Sequence, residues 1–222
     1  MDFIQRIFGN INLYFIPAAL ICVTVHECSH GFAAMKLGDP TAKQLGRITL
    51  NPLKHIDIFG FIMLVLLGFG WAKPVPVDMR YFKKPKRDMA ITALAGPASN
   101  FILAFVMLLM LCIMVTFVPY FGAAAEVIFN VLLYTATVSV GLGVFNLIPV
   151  SPLDGSKILL SLFPDNVYYR VLKYERYGII ILYAILFLGF IDTPLAAARS
   201  WVMEGMLRAA GTPVDFIAGL FR

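Results

Sequence analysis

One short run of residues combines a metal-binding pattern with a catalytic base. His26-Glu27-Cys28-Ser29-His30 is an H-E-x-x-H sequence. On a helix, residues i and i+4 lie on one face, so His26 and His30 can bind the same zinc ion. Zinc makes a bound water more acidic, and the adjacent Glu27 can accept the proton as that water attacks a carbonyl. The pattern therefore predicts a zinc-dependent hydrolase.

The residues around this motif favour a functional site over a chance pattern. The chain contains three histidines, and two of them flank Glu27. The motif lies in the apolar stretch 11–35, where Glu27 is the one formally charged residue. An unpaired charge at membrane depth costs about 3 kcal/mol or more. Two core histidines beside an incidental carboxylate, which is the alternative, would leave that cost without compensation.

Asp154 is the candidate for a third ligand, since a catalytic zinc takes three protein ligands and keeps one position open. Pro149 and Pro152 interrupt the preceding apolar run, so the chain is expected to unwind there. Gly155 permits unusual backbone angles, which would let the Asp154 carboxylate turn inward. Taken alone, Pro-Leu-Asp-Gly is also a common surface turn.

The composition is that of an integral membrane protein. Of 222 residues, 60% are hydrophobic and 14% are charged, against about 25% charged in soluble domains. We expect one domain over residues 1–222, with an uncleaved first span and three reduced cysteines. The net charge of +5 is read as a topology signal, and the basic tract 80–87 as a lipid-facing loop, so no nucleic-acid partner is expected.

Four stretches are long and apolar enough to predict membrane spans of about 20 residues. They are residues 11–35, 89–118, 127–150 and 177–191, the last of which can extend towards residue 198. With the first span running from outside to inside, 14 of the 18 Lys and Arg residues face the cytoplasm, as the positive-inside rule expects.

The apolar stretch 56–70 has 15 residues and is predicted to dip into the membrane rather than cross it. A full crossing would place the basic stretches 36–54 and 73–87 on opposite sides and remove the charge asymmetry. With this topology, spans one and three are parallel. His26 lies 15 residues beyond Ile11, about 22 Å along a helix, so the motif and Asp154 converge near the cytoplasmic side.

The C-terminal segment, about 194–222, is predicted to be an amphipathic helix at the membrane interface. Its apolar residues recur at helical spacing, and Trp201 would lie at headgroup level. The expected fold is an all-α polytopic membrane protein, a helical bundle of four to six spans.

Two motifs together resemble the site-2 protease family of intramembrane zinc metalloproteases. H-E-C-S-H matches that family's H-E-x-x-H. A second set of residues matches its N-x-x-P-x-P-x-x-D-G pattern, namely Asn146, Pro149, Pro152, Asp154 and Gly155. The stretches 70–77 and 95–100 are similar to those of a short bacterial and archaeal branch that lacks PDZ and CBS modules.

The resemblance implies one zinc per chain bound by His26, His30 and Asp154, with Glu27 as the base. It implies a role for Asn146 at the substrate backbone or oxyanion, for which a helix-packing hydrogen bond is the alternative. It also implies a small re-entrant β element after the first catalytic helix. The substrate would be a transmembrane or membrane-proximal segment of another membrane protein, cleaved near the cytoplasmic side of the cell membrane in regulated proteolysis or turnover.

Two other functions stay open at this point, as does the oligomeric state. A prenyl-protein processing metalloprotease would need a Glu as third ligand, but Glu126, Glu175 and Glu204 lie beside no metal-binding partner. A non-proteolytic metal-binding membrane protein or transporter would not need Glu27. Of the remaining polar residues, Asn100 is expected to support packing and His55 to have a structural or gating role.

Overall fold

The computed structural model describes residues 13–67, 70–117, 122–189 and 191–219, without the side chains of residues 65–67, 176 and 187. Predictions about residues 1–12, the end of the second span at residue 118 and the last residues 220–222 lie outside this part. In chain order the described residues form nine α-helices, which are α1 (Phe15–Lys36), α2 (Thr41–Gln44), α3 (Ile58–Leu67), α4 (Pro85–Phe117), α5 (Ala123–Asn146), α6 (Asp154–Leu160), α7 (Asp165–Lys173), α8 (Glu175–Phe187) and α9 (Asp192–Gly219).

Three of these helices, α1, α4 and α5, are long and apolar enough to cross a membrane. They have 22, 33 and 24 residues and confirm the first three predicted spans. Each packs on the other two through small buried residues and polar contacts. The Cys22 thiol lies 3.4 Å from the Thr135 carbonyl oxygen, and the Ser139 hydroxyl donates to the Asn100 carbonyl at 2.8 Å. Such contacts hold helices together in lipid, where apolar burial adds little.

A fourth span at residues 177–191 is not found in the described residues. The helix there, α8, has 13 residues and is about 20 Å long, short of the roughly 30 Å of a bilayer core. It ends before Gly189, whose φ of +71° is left-handed and stops the helix. Helix α9 then begins at Asp192, just beyond residue 190, which lies outside the described residues.

The expected re-entrant β element is also not found. In the described residues this region consists of α3 and of extended backbone joined by an isolated antiparallel bridge between Ile56 and Ala72. The adjacent Lys73 N–H donates to the His55 carbonyl at 2.9 Å. Pairing stops there because Pro74 and Pro76 have no N–H to extend a ladder. The bridge nevertheless brings the two ends of residues 56–72 together, as in a segment that turns back.

Cysteine labelling tests this turn. In a background without Cys22, Cys28 and Cys112, cysteines at Lys43 and Lys84 should be equally protected from an impermeant reagent added outside intact cells. The reason is that both positions flank a segment whose ends meet.

A cysteine at Gly122, which precedes α5, should be labelled under the same conditions and serves as the control. Opposite accessibility at positions 43 and 84 would show that residues 56–70 cross the membrane, contrary to this topology.

Helix α9 packs lengthwise on α4 and α5. Its residue Ala210 is fully buried in a cluster with Leu108, Leu111, Leu132 and Ala136. The H-E-x-x-H motif lies on α1, which packs on α4, and the short helix α6 packs on α4 as well. The bundle thus holds the region around His26 and Asp154 between three helices.

Candidate metal centre

Helix α1 places both histidines of the motif on one side, as the spacing predicts. The Nε2 atoms of His26 and His30 lie 3.0 Å apart, and their rings meet edge to face with centroids 4.6 Å apart. Both side chains are buried, with exposures of 6% and 9%. The helix therefore presents two imidazole nitrogens to one point inside the bundle.

Asp154 reaches the same point from a different part of the chain. Helix α5 ends at Asn146 and α6 begins at Asp154, so the residues between them leave the helical path where Pro149 and Pro152 occur. The Asp154 Oδ2 atom lies 3.2 Å from each histidine Nε2. The structure thus brings the three candidate ligands together, and their role in binding a metal stays a prediction.

Gly155 has a role other than the one expected from the sequence. Its φ is not among the positive values that the described glycines show. Instead, a Cβ at this position would overlap the Leu147 carbonyl. Gly155 thus allows the start of α6 to fold tightly against the end of α5, and this close approach carries Asp154 to the two histidines.

Gly96 on α4 provides the space that the imidazoles occupy. A Cβ on Gly96 would lie 2.5 Å from the His30 ring and 2.6 Å from the His26 ring. Any larger residue would push α4 away from α1 or displace the two rings. A Gly-Pro pair inside an apolar span is the one signal in the sequence that marks this residue, and that pair alone does not predict a role at the site.

The other ring nitrogen of each histidine has a partner on α4. His30 Nδ1 lies 2.7 Å from the Thr92 carbonyl oxygen. A carbonyl can only accept, so Nδ1 carries the hydrogen, and Nε2 of the neutral ring presents a lone pair to the centre. His26 Nδ1 lies 3.1 Å from Asn100 Nδ2, while Asn100 Oδ1 is buried without a partner in the described structure. With the amide reversed, Oδ1 accepts from Nδ1–H of His26, and Nε2 is left with a lone pair. These contacts fix the orientation of both rings, as is usual for metal-binding histidines.

The converging atoms fit zinc. Two imidazole nitrogens and a carboxylate oxygen lie 3.0–3.2 Å from one another. Ligand atoms around a tetrahedral zinc with bonds of about 2.0–2.1 Å are separated by about 3.3 Å. Asp154 Oδ2 is buried and has no hydrogen-bond partner among the described residues. Electron-rich atoms this close repel one another unless a cation or a proton lies between them.

The charge state of Asp154 also suits a metal ligand. Burial by itself favours the neutral acid, but the two neighbouring imidazoles outweigh burial. When an Nε2 atom carries a proton, as it can without a bound metal, the contact with that imidazole holds the pKa of Asp154 well below its usual range. With a metal bound, the ligands would be two neutral imidazoles and one negatively charged carboxylate.

Comparison with known families agrees with this centre. Residues 14–120 and 113–191 match the family described as Peptidase family M50. The chain belongs to peptidase family M50. This is the site-2 protease family that the two motifs resemble, so the resemblance is confirmed, and by homology the chain is a zinc metalloprotease.

Two relatives of this M50 peptidase match over most of their length. "Putative zinc metalloprotease YwhC" of Bacillus subtilis (strain 168) is 39% identical over 194 residues, which cover 86% of this chain and 85% of the relative. "Putative zinc metalloprotease Rip2" of Mycolicibacterium smegmatis (strain ATCC 700084 / mc(2)155) is 27% identical over 199 residues, or 88% of this chain and 72% of the relative. No solved structure matches the chain.

In this M50 peptidase, an extended segment holds the carboxylate of Glu27. The Val75 N–H donates to Glu27 Oε2 at 2.8 Å. Because Pro74 and Pro76 lack an N–H, Val75 is the only backbone donor of residues 74–76. The residue before a proline also favours extended backbone, which suits Val75 between two of them.

Both ends of that segment are anchored to the loops beyond α1. Arg47 Nη2 donates to the Lys73 carbonyl at 2.8 Å, and the Asp78 N–H donates to Asp39 at 2.7 Å. Asp39 is fully buried and Arg47 nearly so. The segment is thus positioned across α1, and Val75 donates to Glu27 from a supported backbone.

Replacing Val75 with proline tests this hydrogen bond. Val75→Pro removes the N–H, so Glu27 loses a charge-assisted hydrogen bond, and we expect peptide-bond cleavage to fall about 10-fold or more. Zinc content should stay at the wild-type level. Val77→Pro is the matched control, because no bond from the Val77 N–H is found in the described structure. Equal losses in the two variants would mean that segment geometry, not the hydrogen bond, matters.

Asn100 is the second residue whose role the sequence did not reveal. We expect Asn100→Leu to weaken zinc binding about 10- to 100-fold, since the partner of a metal-binding histidine contributes to affinity on that scale. Asn100→Asp should weaken it less, because a carboxylate can accept the His26 Nδ1 hydrogen. Zinc affinity would be measured by competition with a chelator. Ser139→Ala, which removes a bond to the Asn100 carbonyl, is the control, and wild-type affinity in Asn100→Leu would contradict this role.

The other candidate residues lie outside the three-ligand cluster. Asn146 is the last residue of α5, and its Nδ2 donates to the Leu142 carbonyl at 3.0 Å, so a role with substrate stays a prediction. His55 is buried, with Nε2 lying 2.9 Å from the Thr49 carbonyl. No glutamate joins the metal-binding group found in the described part of the chain, which does not favour the prenyl-processing type.

Proposed function

We propose that this chain is an intramembrane zinc endopeptidase that cleaves transmembrane or membrane-proximal segments of other membrane proteins. The observation that carries the proposal is the convergence of His26, His30 and Asp154 beside Glu27, inside a bundle of three candidate membrane spans. Membership of the M50 family supports the chemistry. The apolar length of α1, α4 and α5 supports the location.

The reaction needs a Lewis acid and a proton carrier. When bound by His26, His30 and Asp154, zinc makes a water molecule more acidic and polarises the substrate carbonyl. Glu27 accepts a proton from the water as the water oxygen attacks the carbonyl carbon of the substrate. Glu27 then delivers that proton to the departing amine, so the peptide bond breaks into a carboxylic acid and an amine. The Val75 N–H holds the Glu27 carboxylate in place during both transfers.

The substrate must reach this centre in an unwound form. Backbone groups of a transmembrane helix are already hydrogen-bonded to one another, which keeps the carbonyls from a buried metal centre. His26, His30 and Asp154 are at most 9% exposed, so access requires local opening of the bundle or of the extended segment over Glu27. Asn146, the last residue before the loop that leads to Asp154, is our candidate for contact with the substrate backbone or oxyanion.

The side of the membrane is proposed from charge. Most Lys and Arg residues lie in the two stretches that flank the centre, 36–87 and 151–176, and such residues favour the cytoplasm. Water for hydrolysis would enter from that side. The physiological role would then be regulated intramembrane proteolysis or the turnover of membrane proteins.

Quantitative proteomics of membrane-protein fragments tests the proposal in cells. Cells that produce the wild-type chain should contain fragments ending within or beside transmembrane segments, and these should disappear with Glu27→Gln. Glu126→Gln is the control, because Glu126 lies in the first turn of α5, outside the catalytic motif. Identical fragment sets with wild type and Glu27→Gln would overturn the proposal.

A further inference from the structure

Helix α9 lies along the middle of the candidate spans. Its residue Ala210 packs among Leu132 and Ala136, which occupy the centre of the 24-residue helix α5. At 1.5 Å per residue, Arg208 lies about 3 Å and Glu204 about 9 Å from Ala210 along the axis. With α5 across the bilayer, both charged residues are near the middle of the hydrocarbon layer rather than at the interface expected from the sequence.

These charges face away from the rest of the chain. The side chains of Arg208 and Glu204 are 83% and 67% exposed, and they form an i,i+4 ion pair with 3.7 Å between Nη2 and Oε2. Asp215, two turns further along, is also exposed. Charged side chains at membrane depth normally face a bundle interior or an aqueous cavity. An outward-facing ion pair in lipid therefore indicates that another surface covers this side of α9.

The exposed strip also has the shape of a helix-packing surface. Positions on this strip are spaced seven residues apart, as in the series Trp201, Arg208 and Asp215. Glu204 and Gly211 form a second series with the same spacing. This is the spacing of two helices that pack side by side. A Cβ at Gly205 or Gly211 would meet no heavy atom within 4 Å in the described structure. Such small residues allow two backbones to approach closely.

We propose that the covering surface is α9 of a second copy of this chain. Two copies related by a two-fold axis along the membrane normal would place their α9 helices parallel and at equal depth. In this arrangement each Glu204 lies opposite its own copy, and Arg208 of the partner lies one turn further, about 6 Å along the axis, within reach of the two long side chains. Each acid then pairs with a base across the interface as well as within its own helix, and this pairing removes four charges from lipid at once.

Disulfide cross-linking in native membranes tests this interface. In a background whose three native cysteines are replaced by Ala, Gly205→Cys and Thr212→Cys should form adducts of twice the chain mass on mild oxidation. Ile102→Cys on α4 is the control, since Ile102 is 66% exposed on a span but outside the strip. Two copies with different tags should co-purify through the same adduct.

The results separate a specific pair from other outcomes. No adduct at positions 205 and 212, in protein that retains its zinc, overturns the proposal. Equal cross-linking at position 102 shows random collision and overturns it too. If positions 205 and 212 cross-link to a different protein instead, then that protein covers the strip, and the proposal of a second copy is overturned.

A charge exchange between copies provides an independent check. Arg208→Glu gives a strip with two acids, and Glu204→Arg gives a strip with two bases. In either variant alone, the yield of the cross-linked adduct at position 205 should fall at least 10-fold. The two variants produced together should cross-link to each other, and failure of this mixed pair to form would contradict the proposed contact.

Discussion

Glu27→Gln is expected to retain zinc and to lose peptide-bond cleavage by about 10²–10⁴-fold, the usual contribution of a general base. Glutamine keeps the size and polarity of the side chain and can still accept the Val75 hydrogen bond through its amide oxygen. It cannot accept a proton from water. The three ligand atoms, which belong to His26, His30 and Asp154, are untouched. Zinc content by elemental analysis and cleavage rate would be measured on the same preparation.

The control for this variant is Glu126→Gln, the same substitution outside the catalytic motif. It should match the wild type in both zinc content and rate. If Glu27→Gln cleaved at the wild-type rate, a different base would have to act, and the assignment of Glu27 would be wrong. If it lost zinc as well, the separation of binding from proton transfer would be wrong.

Asp154→Ala is expected to lose most of its zinc, against about one zinc per chain in the wild type. Its carboxylate is the one negatively charged group in the three-ligand cluster, and two neutral imidazoles alone bind zinc more weakly. The measurement is metal content after purification in detergent and dialysis. His26→Ala should give the same result, since Nε2 of His26 lies 3.2 Å from Asp154 Oδ2.

Asp165→Ala is a suitable control, because the exposed carboxylate of Asp165 binds Lys86 on the surface. It should keep its zinc. Full zinc retention in Asp154→Ala would remove Asp154 from the ligand set. The chain would then resemble its family in sequence without using the third ligand that the family pattern implies.

The convergence of the candidate ligands could be predicted from the sequence because the geometry of the two histidines is local. His26 and His30 share a face of any helix, and the apolar run around them predicts that helix. Asp154 is far along the chain, but the charge count makes spans one and three parallel. That topology brings the two motifs to the same depth without a detailed structure.

The packing around the site could not be predicted, since it depends on how α4 crosses α1. Gly96 and Asn100 lie one turn apart on α4, and both meet the imidazoles only at that crossing. The contact of Val75 with Glu27 similarly depends on a loop that returns over α1. Nothing in the local sequence specifies these partners.

The incorrect expectations have identifiable causes. A β element was implied by the family, but Pro74 and Pro76 limit pairing in the part of this region that the structure describes to one bridge. A fourth span was inferred from apolar composition, whereas Gly189 adopts a left-handed conformation and ends the helix after 13 residues. Composition cannot distinguish such a short helix from a span that continues.

The central claim is that this chain itself hydrolyses peptide bonds of membrane proteins through Glu27. The most direct measurement uses purified, zinc-loaded protein in lipid vesicles, mixed with a membrane-protein extract from cells lacking the chain, in water labelled with heavy oxygen. Hydrolysis predicts fragments whose new C-terminal carboxylates carry the label with the wild type, and no such fragments with Glu27→Gln. Labelled fragments formed equally by both proteins, or by neither, would contradict the claim.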